Sequence, residues 1–171
     1  NPMPKSSVRI GLLSDTHGHL DDRMQHHLKP VDEIWHAGDI GGFNVLDGLV
    51  KIAPVKAVYG NIDDHKMRSE LPEWIEWDIH GLKFLMIHIG GRPGRYEKGI
   101  RSMLKTHQPD VFICGHSHLL RVEKDASWGR LYINPGAAGK HGFHRIRTML
   151  RFDVQSGLIE NLEVIELESI R

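Results

Sequence analysis

Short apolar runs alternate with short polar blocks along this chain. Val8–Ser14 (VRIGLLS), Glu33–His36, Val55–Tyr59, Leu82–His88 and Val111–Cys114 are β-prone and too short for ordinary helices, so they read as buried strands. Helical patterns separate them. Asp21–Leu28 starts on paired aspartates and stops before Pro30. Asn44 can cap a helix to about Lys51, with Val45, Leu46 and Leu49 on one face. A further helix is predicted from about Tyr96 to Thr106, closed by Pro109. The early βα units predict a largely parallel sheet.

Later the pattern changes to hairpins. Trp74–Ile79 and Leu82–His88 flank the turn-like pair His80-Gly81. Leu119–Asp125 and Leu131–Asn134 are joined near Trp128-Gly129, and Arg147–Val154 and Leu158–Leu167 turn about Ser156-Gly157. Gly90-Gly91 and Pro93-Gly94 make a loop after His88. Parallel units followed by hairpins predict an α/β fold of two sheets packed face to face, with helices outside. The 171 residues read as a single domain.

Each of five strands delivers a polar block: Asp15-Thr16-His17, Gly38-Asp39, Gly60-Asn61, His88 and Gly115-His116-Ser117-His118. Strands of one sheet end side by side, so residues beyond their ends converge on one crevice. Taken singly, Asp15, Asp39 and Asn61 read as turn or cap residues. Together with the histidines they form the walls of a two-metal site. Asp39, alone after Gly38, is the natural bridge between two cations. Asp15 and His17 are two residues apart, a spacing that in extended chain points both to one side, and His116 and His118 share it. The mixed nitrogen and oxygen donors, without thiolate, suit Mn²⁺, Fe²⁺, Zn²⁺ or Co²⁺.

Composition removes several alternatives. One cysteine, Cys114, excludes a disulfide framework, and a buried inert thiol is expected there. Lys+Arg and Asp+Glu balance at 22 each, which gives no strong drive toward nucleic acid or anionic membrane. No apolar run reaches the roughly 18 residues of a membrane span. A single cysteine fits a reducing cytoplasm, the expected location, and Asn1-Pro2-Met3-Pro4 has none of the regions of a secretory signal. Of the 13 histidines, His36 is assigned to support around the Asp39 loop, while His26, His27, His80 and His107 are assigned to exposed or capping positions. Trp74 and Trp77, three apart in a strand, should face opposite sides, one of them exposed.

In these blocks the chain resembles the calcineurin-like metallophosphoesterases. DTHGH (15–19), HAGDI (36–40), GNID (60–63), the His88 block, GHSH (115–118) and INPGAAG (133–139) match that family's motif series in order, most closely its small bacterial and archaeal phosphodiesterase branch. The resemblance implies a four-layer α/β/β/α sandwich of two packed mixed sheets and a dinuclear centre. Asp15, His17 and His118 would bind one metal and Asn61, His88 and His116 the other, with Asp39 bridging and Asn61 also counted as catalytic. A metal-bridging hydroxide would attack phosphorus in line. Two divalent ions are implied, Mn²⁺ first, with Zn²⁺, Fe²⁺, Ni²⁺ or Mg²⁺ as alternatives.

The chain departs from the wider family at Ile62, where many members carry a proton-donating histidine, and at Gly90, where related proteins often have a second histidine. For the missing acid, His19 ranks ahead of His65 or a metal-bound water. Arg92, in the glycine-rich loop, and Arg145, in the basic segment Lys140–Arg147, are the candidates for grasping substrate phosphate. The expected partner is a small phosphoester, nucleotide-like in size, and the late hairpins leave a homodimer open. The alternative function is a binding or scaffold module on the same fold.

Overall fold

The structure, a computed structural model, describes residues 6–171; the Asn1–Pro4 segment read above for signals lies outside the described residues. In chain order the elements are β1 (Ser7–Leu13), α1 (Asp22–Leu28), β2 (Glu33–His36), α2 (Phe43–Val50), β3 (Val55–Ala57), α3 (His65–Glu70), β4 (Trp74–Ile79) and β5 (Leu82–Ile87). They continue with β6 (Gly91–Arg92), β7 (Arg95–Tyr96), α4 (Ile100–His107), β8 (Val111–Ile113), β9 (Leu120–Asp125), β10 (Arg130–Pro135), β11 (Ile146–Gln155) and β12 (Leu158–Ser169). Among the described residues no helix is long and apolar enough to cross a membrane.

Two five-stranded sheets form, in the orders β12-β11-β1-β2-β3 and β4-β5-β8-β10-β9. Both are mixed. β1, β2 and β3 are parallel, with β11 antiparallel to β1 and β12 to β11. β5, β8 and β10 are parallel, with β4 and β9 as antiparallel edges.

Three apolar layers hold the sandwich together. Trp35, Phe84, Phe152 and Ile113 fill the space between the sheets. Met24, Leu28, Val45 and Leu49 seal α1 and α2 on one outer face, and Ile100 and Leu104 seal α4 against Phe112 and Tyr132 on the other. This is the four-layer α/β/β/α arrangement expected from the chain. Its consequence for function is geometric: each sheet presents the carboxyl ends of three parallel strands.

Several local expectations need correction. Asn44 does not cap α2. Gly42 holds the cap position, and the Asn44 side-chain amide donates to the Gly18 carbonyl at 3.0 Å, tying α2 to the first polar loop. The predicted Tyr96–Thr106 helix begins later, at Ile100, because Gly99 is left-handed (φ 86°), and Gln108 ends it (φ 46°). The loop after His88 contains the small β6–β7 hairpin. α3 has no counterpart in the predicted elements; it buries only Met67 and is marked by the Asp64 side chain, which accepts from the Met67 amide. Trp74 packs beneath α4 and Trp77 packs between the sheets, so they face opposite sides as expected, but neither is fully exposed.

Candidate metal centre

Five of the predicted ligands occupy left-handed backbone: Asp15 (φ 54°), His17 (φ 47°), Asp39 (φ 54°), His116 (φ 72°) and His118 (φ 64°). The strands end abruptly there, and each chain turns back at once. Asp15 and His17 therefore do not share a side through extended pleating, as their spacing suggested; successive left-handed turns aim them. Such conformations cost free energy and persist where surrounding contacts over-determine them, commonly at functional sites.

Those contacts are present. The Asp15, His17 and Gly18 amides donate to the Gly38, Asp39 and Ile40 carbonyls at 2.9, 3.0 and 2.7 Å, zipping the first loop to the second. Gly139 donates to Asp15 at 3.1 Å, and Gly115 to His88 at 3.0 Å. The buried Asp63 carboxylate accepts from the Gly60, Gly41 and Ile40 amides at 2.8, 2.8 and 3.2 Å, which fixes the Asn61 loop to the Asp39 loop. Asp63 lies in the GNID block; without a spatial partner it reads as an ordinary turn residue.

The side chains then gather into two groups, Asp15-His17-His118 and Asp39-His88-His116, whose ligand atoms lie within 4.8 Å of one another in each group. Each carboxylate has one anchored oxygen and one aimed inward. Asp15 Oδ2 accepts from Ser14 Oγ (2.7 Å) and the His116 amide (3.0 Å), while Oδ1 stands 3.2 Å from His118 Nε2. Asp39 Oδ1 accepts from the Ile62 amide (3.0 Å), while Oδ2 stands 3.2 Å from His88 Nε2 and 3.5 Å from His17 Nε2. Asp39 thus reaches both groups. Asn61 Oδ1 accepts from His116 Nδ1 at 3.0 Å. Among the described residues Asp15 Oδ1, His17 Nε2 and His88 Nε2 are buried without a hydrogen-bond partner. Orphaned buried donors and acceptors are costly in isolation, and convergent ones fit a pair of cations.

The two groups are electrostatically coupled: against the lowering by burial, Asp39 and Asp15 hold the His88 imidazole above its ordinary value. Burial works to raise the Asp15 and Asp39 carboxyls, but the His118 and His88 imidazoles outweigh it and hold both below the usual carboxylate range. Burial depresses His17, keeping its ring neutral and able to donate a lone pair. Around them, buried His36 receives the Gly38 amide at Nδ1 (3.1 Å) and meets Thr16 Oγ1 at Nε2 (3.0 Å), and Thr16 donates onward to Ile40 (2.9 Å). His36 supports two loops, as expected from its position. Cys114 is fully buried and its thiol is pushed up to about 12, consistent with an inert role.

The other predicted site residues stand apart from this crevice. His19 is part-exposed, with Nε2 2.9 Å from Asp21 Oδ2. Arg92 lies exposed in β6, and Arg145 lies exposed just before β11. Neither arginine nor His19 is among the walls of the roughly 430 Å³ crevice over the ligands. Its walls include Ile62, already placed at the site by the sequence, and Leu119, His141, Phe143 and His144, which sequence reasoning did not assign. The His141 ring stacks on His17 with centroids 4.6 Å apart, and His144 sits edge-on to His118 at 5.2 Å. Lys140–Arg147 does border the site, but through its histidines and Phe143. The signal available was the KHGFH spacing, where Gly142 allows a turn that lays both histidines inward. At Gly90, a Cβ would stand 2.8 Å from Phe112 and 2.9 Å from Cys114, so the packing leaves no room for a larger side chain there.

Comparison with known proteins points the same way. The family model described as the calcineurin-like phosphoesterase superfamily domain matches residues 8–157. A phosphodiesterase of Methanocaldococcus jannaschii is 30% identical over 147 residues, covering 75% of this chain and 83% of that protein. The solved structure of an archaeal phosphodiesterase superposes with a TM-score of 0.74 at 25% identity, over 92% of this chain and all of the other. Vps29 from Chaetomium thermophilum superposes with a TM-score of 0.75 at 16% identity, over 93% of this chain and 96% of that one, which speaks to the fold.

Proposed function

From the premise that this chain belongs to the calcineurin-like phosphoesterase superfamily, we propose that it is a dinuclear-metal-dependent phosphodiesterase. The observation that carries the reading is the convergence of Asp15 Oδ1, His17 Nε2 and His88 Nε2, buried and unpartnered, within two adjoining ligand groups. Asp15, His17 and His118 would hold one divalent ion, and His88, His116 and Asn61 the other, with Asp39 between. When bound, such a pair supplies Lewis acidity and an activated water at neutral pH.

The chain's own residues do the rest. Asp39 Oδ1, fixed by the Ile62 amide, keeps Oδ2 turned inward. The His88 Nδ1–H donates to the Ala37 carbonyl at 2.7 Å, which presents Nε2 as the lone-pair nitrogen. The left-handed turns hold these groups in place before substrate arrives, so little reorganisation is needed during reaction.

Preference for diesters over monoesters rests on charge. Among the described residues no lysine or arginine lines the crevice, and Arg68, in the adjoining cavity beside Asn61 and His88, donates to the Asp63 and Asn61 carbonyls, so little besides the cations would offset a second negative charge on a monoester. Mn²⁺ as the preferred ion and a cytoplasmic setting belong to the same reading, the first from family resemblance and the second from a single buried cysteine. Both ligand groups come from one chain, so the reading needs no second copy.

The test strips the protein of metal, reloads it with Mn²⁺, Zn²⁺, Mg²⁺ or Ni²⁺, and measures metal content beside hydrolysis of bis(p-nitrophenyl) phosphate and p-nitrophenyl phosphate. Expected are about two ions per chain, faster diester turnover, and loss of most activity in Asp39→Asn. Less than one ion per chain with no turnover would overturn the enzyme reading in favour of a scaffold on the same fold.

A further inference from the structure

Three large apolar side chains ring the mouth of the ligand crevice while remaining open to water. Phe143 is 98% exposed, Leu119 66% and Ile62 45%. Isolated exposed apolar residues need no explanation, but a cluster around one cavity marks a contact surface. Their positions follow from the ligands. Ile62 comes directly after Asn61, Leu119 directly after His118, and Phe143 lies between the crevice histidines His141 and His144. The turns that aim the polar groups inward therefore place the apolar ones at the rim.

We infer that this rim is the subsite for one ester arm of the substrate, and that it selects phosphodiesters carrying a flat, ring-bearing apolar group; the inference rests on the phosphodiesterase reading above. The charge pattern argues for this occupant. Among the described residues no lysine or arginine lines the walls; beyond the candidate ligands they carry Ser117, His141 and His144 together with the carbon surface of Ile62, Leu119 and Phe143. A ring laid on Phe143 gains stacking and shields Leu119 and Ile62 from water.

The experiment compares phenyl p-nitrophenyl phosphate with ethyl p-nitrophenyl phosphate, which share a leaving group and differ only in the retained arm. In parallel, calorimetry measures binding of diphenyl phosphate and diethyl phosphate to the Mn²⁺-loaded protein. Phe143→Ala is expected to cut the phenyl-to-ethyl ratio of kcat/KM roughly tenfold, and Phe143→Trp to preserve it. Phe143→Ala should also erase the binding preference for diphenyl phosphate. Leu158→Ser, an exposed apolar residue of β12, is the control and should leave both ratios unmoved.

Turnover with a ratio that Phe143→Ala does not change overturns the rim assignment and leaves the phosphodiesterase reading intact. No turnover with any ion, but a diphenyl preference lost in Phe143→Ala, removes the enzyme reading and with it the substrate subsite, leaving the rim as a surface that binds aromatic rings. No turnover and equal binding of both diesters removes both. A dimer in solution that Phe143→Ala dissociates, with unchanged ratios, assigns the rim to a second copy of the chain and overturns the substrate subsite.

Discussion

The His88 ring is held by the backbone of Ala37, whose carbonyl accepts from Nδ1 at 2.7 Å, and this bond, with that of the His116 amide to Asp15, joins the two sheets at the candidate metal centre. Ala37 follows β2 of one sheet and His88 follows β5 of the other. The bond fixes the ring's tautomer and direction, so the unpartnered Nε2 faces Asp39. A ligand's outer hydrogen bond commonly matters nearly as much as the ligand itself.

Gly38→Ala tests that joint. Gly38 has φ 103°, a conformation alanine resists, and its Cβ would stand 2.6 Å from His88 Nδ1. The ring must move and its bond to Ala37 must stretch. The expected result is loss of about one of the two ions per chain, with metal content as the measurement. Full retention of both would show that His88 does not need this placement.

His36 makes the metal-stripped protein less stable in acid. Burial lowers its pKa to about 4, below the ordinary value of 6.5. As pH falls from about 6.5 to about 4, the unfolded chain takes up a proton that the folded chain refuses, so stability falls through that window. The slope is at most about 1.4 kcal/mol per pH unit. Urea midpoints at pH 7, 6 and 5 measure it. His36→Gln should flatten the decline, and an identical slope in the variant would assign it to other groups.

Arg147 is fully buried on β11. Its guanidinium lies 2.8 Å from Asp21 and 3.3 Å from Glu168, and Nε donates to Ala138 at 2.7 Å. Arg147→Met would strip a carbonyl and two carboxylates of their partner. Asp21 and Glu168 are only part-buried and regain water, so a loss of about 2 kcal/mol is expected, below the usual cost of breaking a fully buried pair. Denaturant unfolding measures it. Adding Asp21→Asn to that variant should recover part of the loss; a fully additive double variant would show that the two side chains are not coupled.

Arg92 and Arg145 separate substrate grip from bystander charge. Since neither lines the crevice, Arg92→Ala and Arg145→Ala should each leave KM for a diester within about twofold, because an exposed side chain without a partner contributes little. A several-fold rise in KM with kcat kept would restore the phosphate-grasping role read from the sequence.

The sequence by itself determined the longer strands, most of the hairpins and which polar residues stand at the strand ends. Period and run length separated strands from helices, and His80-Gly81 and Ser156-Gly157, all left-handed, marked their turns correctly. Asp15, His17, Asp39, Asn61, His88, His116 and His118 were legible because each follows an apolar run, and strand ends converge. Tertiary structure decided what depends on contacts between distant loops. Asp63 joins the Asp39 and Asn61 loops by accepting from three amides, and no local pattern announces that. Asn44 reaches Gly18 instead of capping its own helix, because a distant carbonyl competes with the local amide. Which side chains of Lys140–Arg147 face the crevice follows from the fold of that turn: charge alone favoured Arg145, whereas backbone direction puts His141, Phe143 and His144 there. Local propensity reads the elements, but the orientation of a loop side chain is fixed by what that loop packs against.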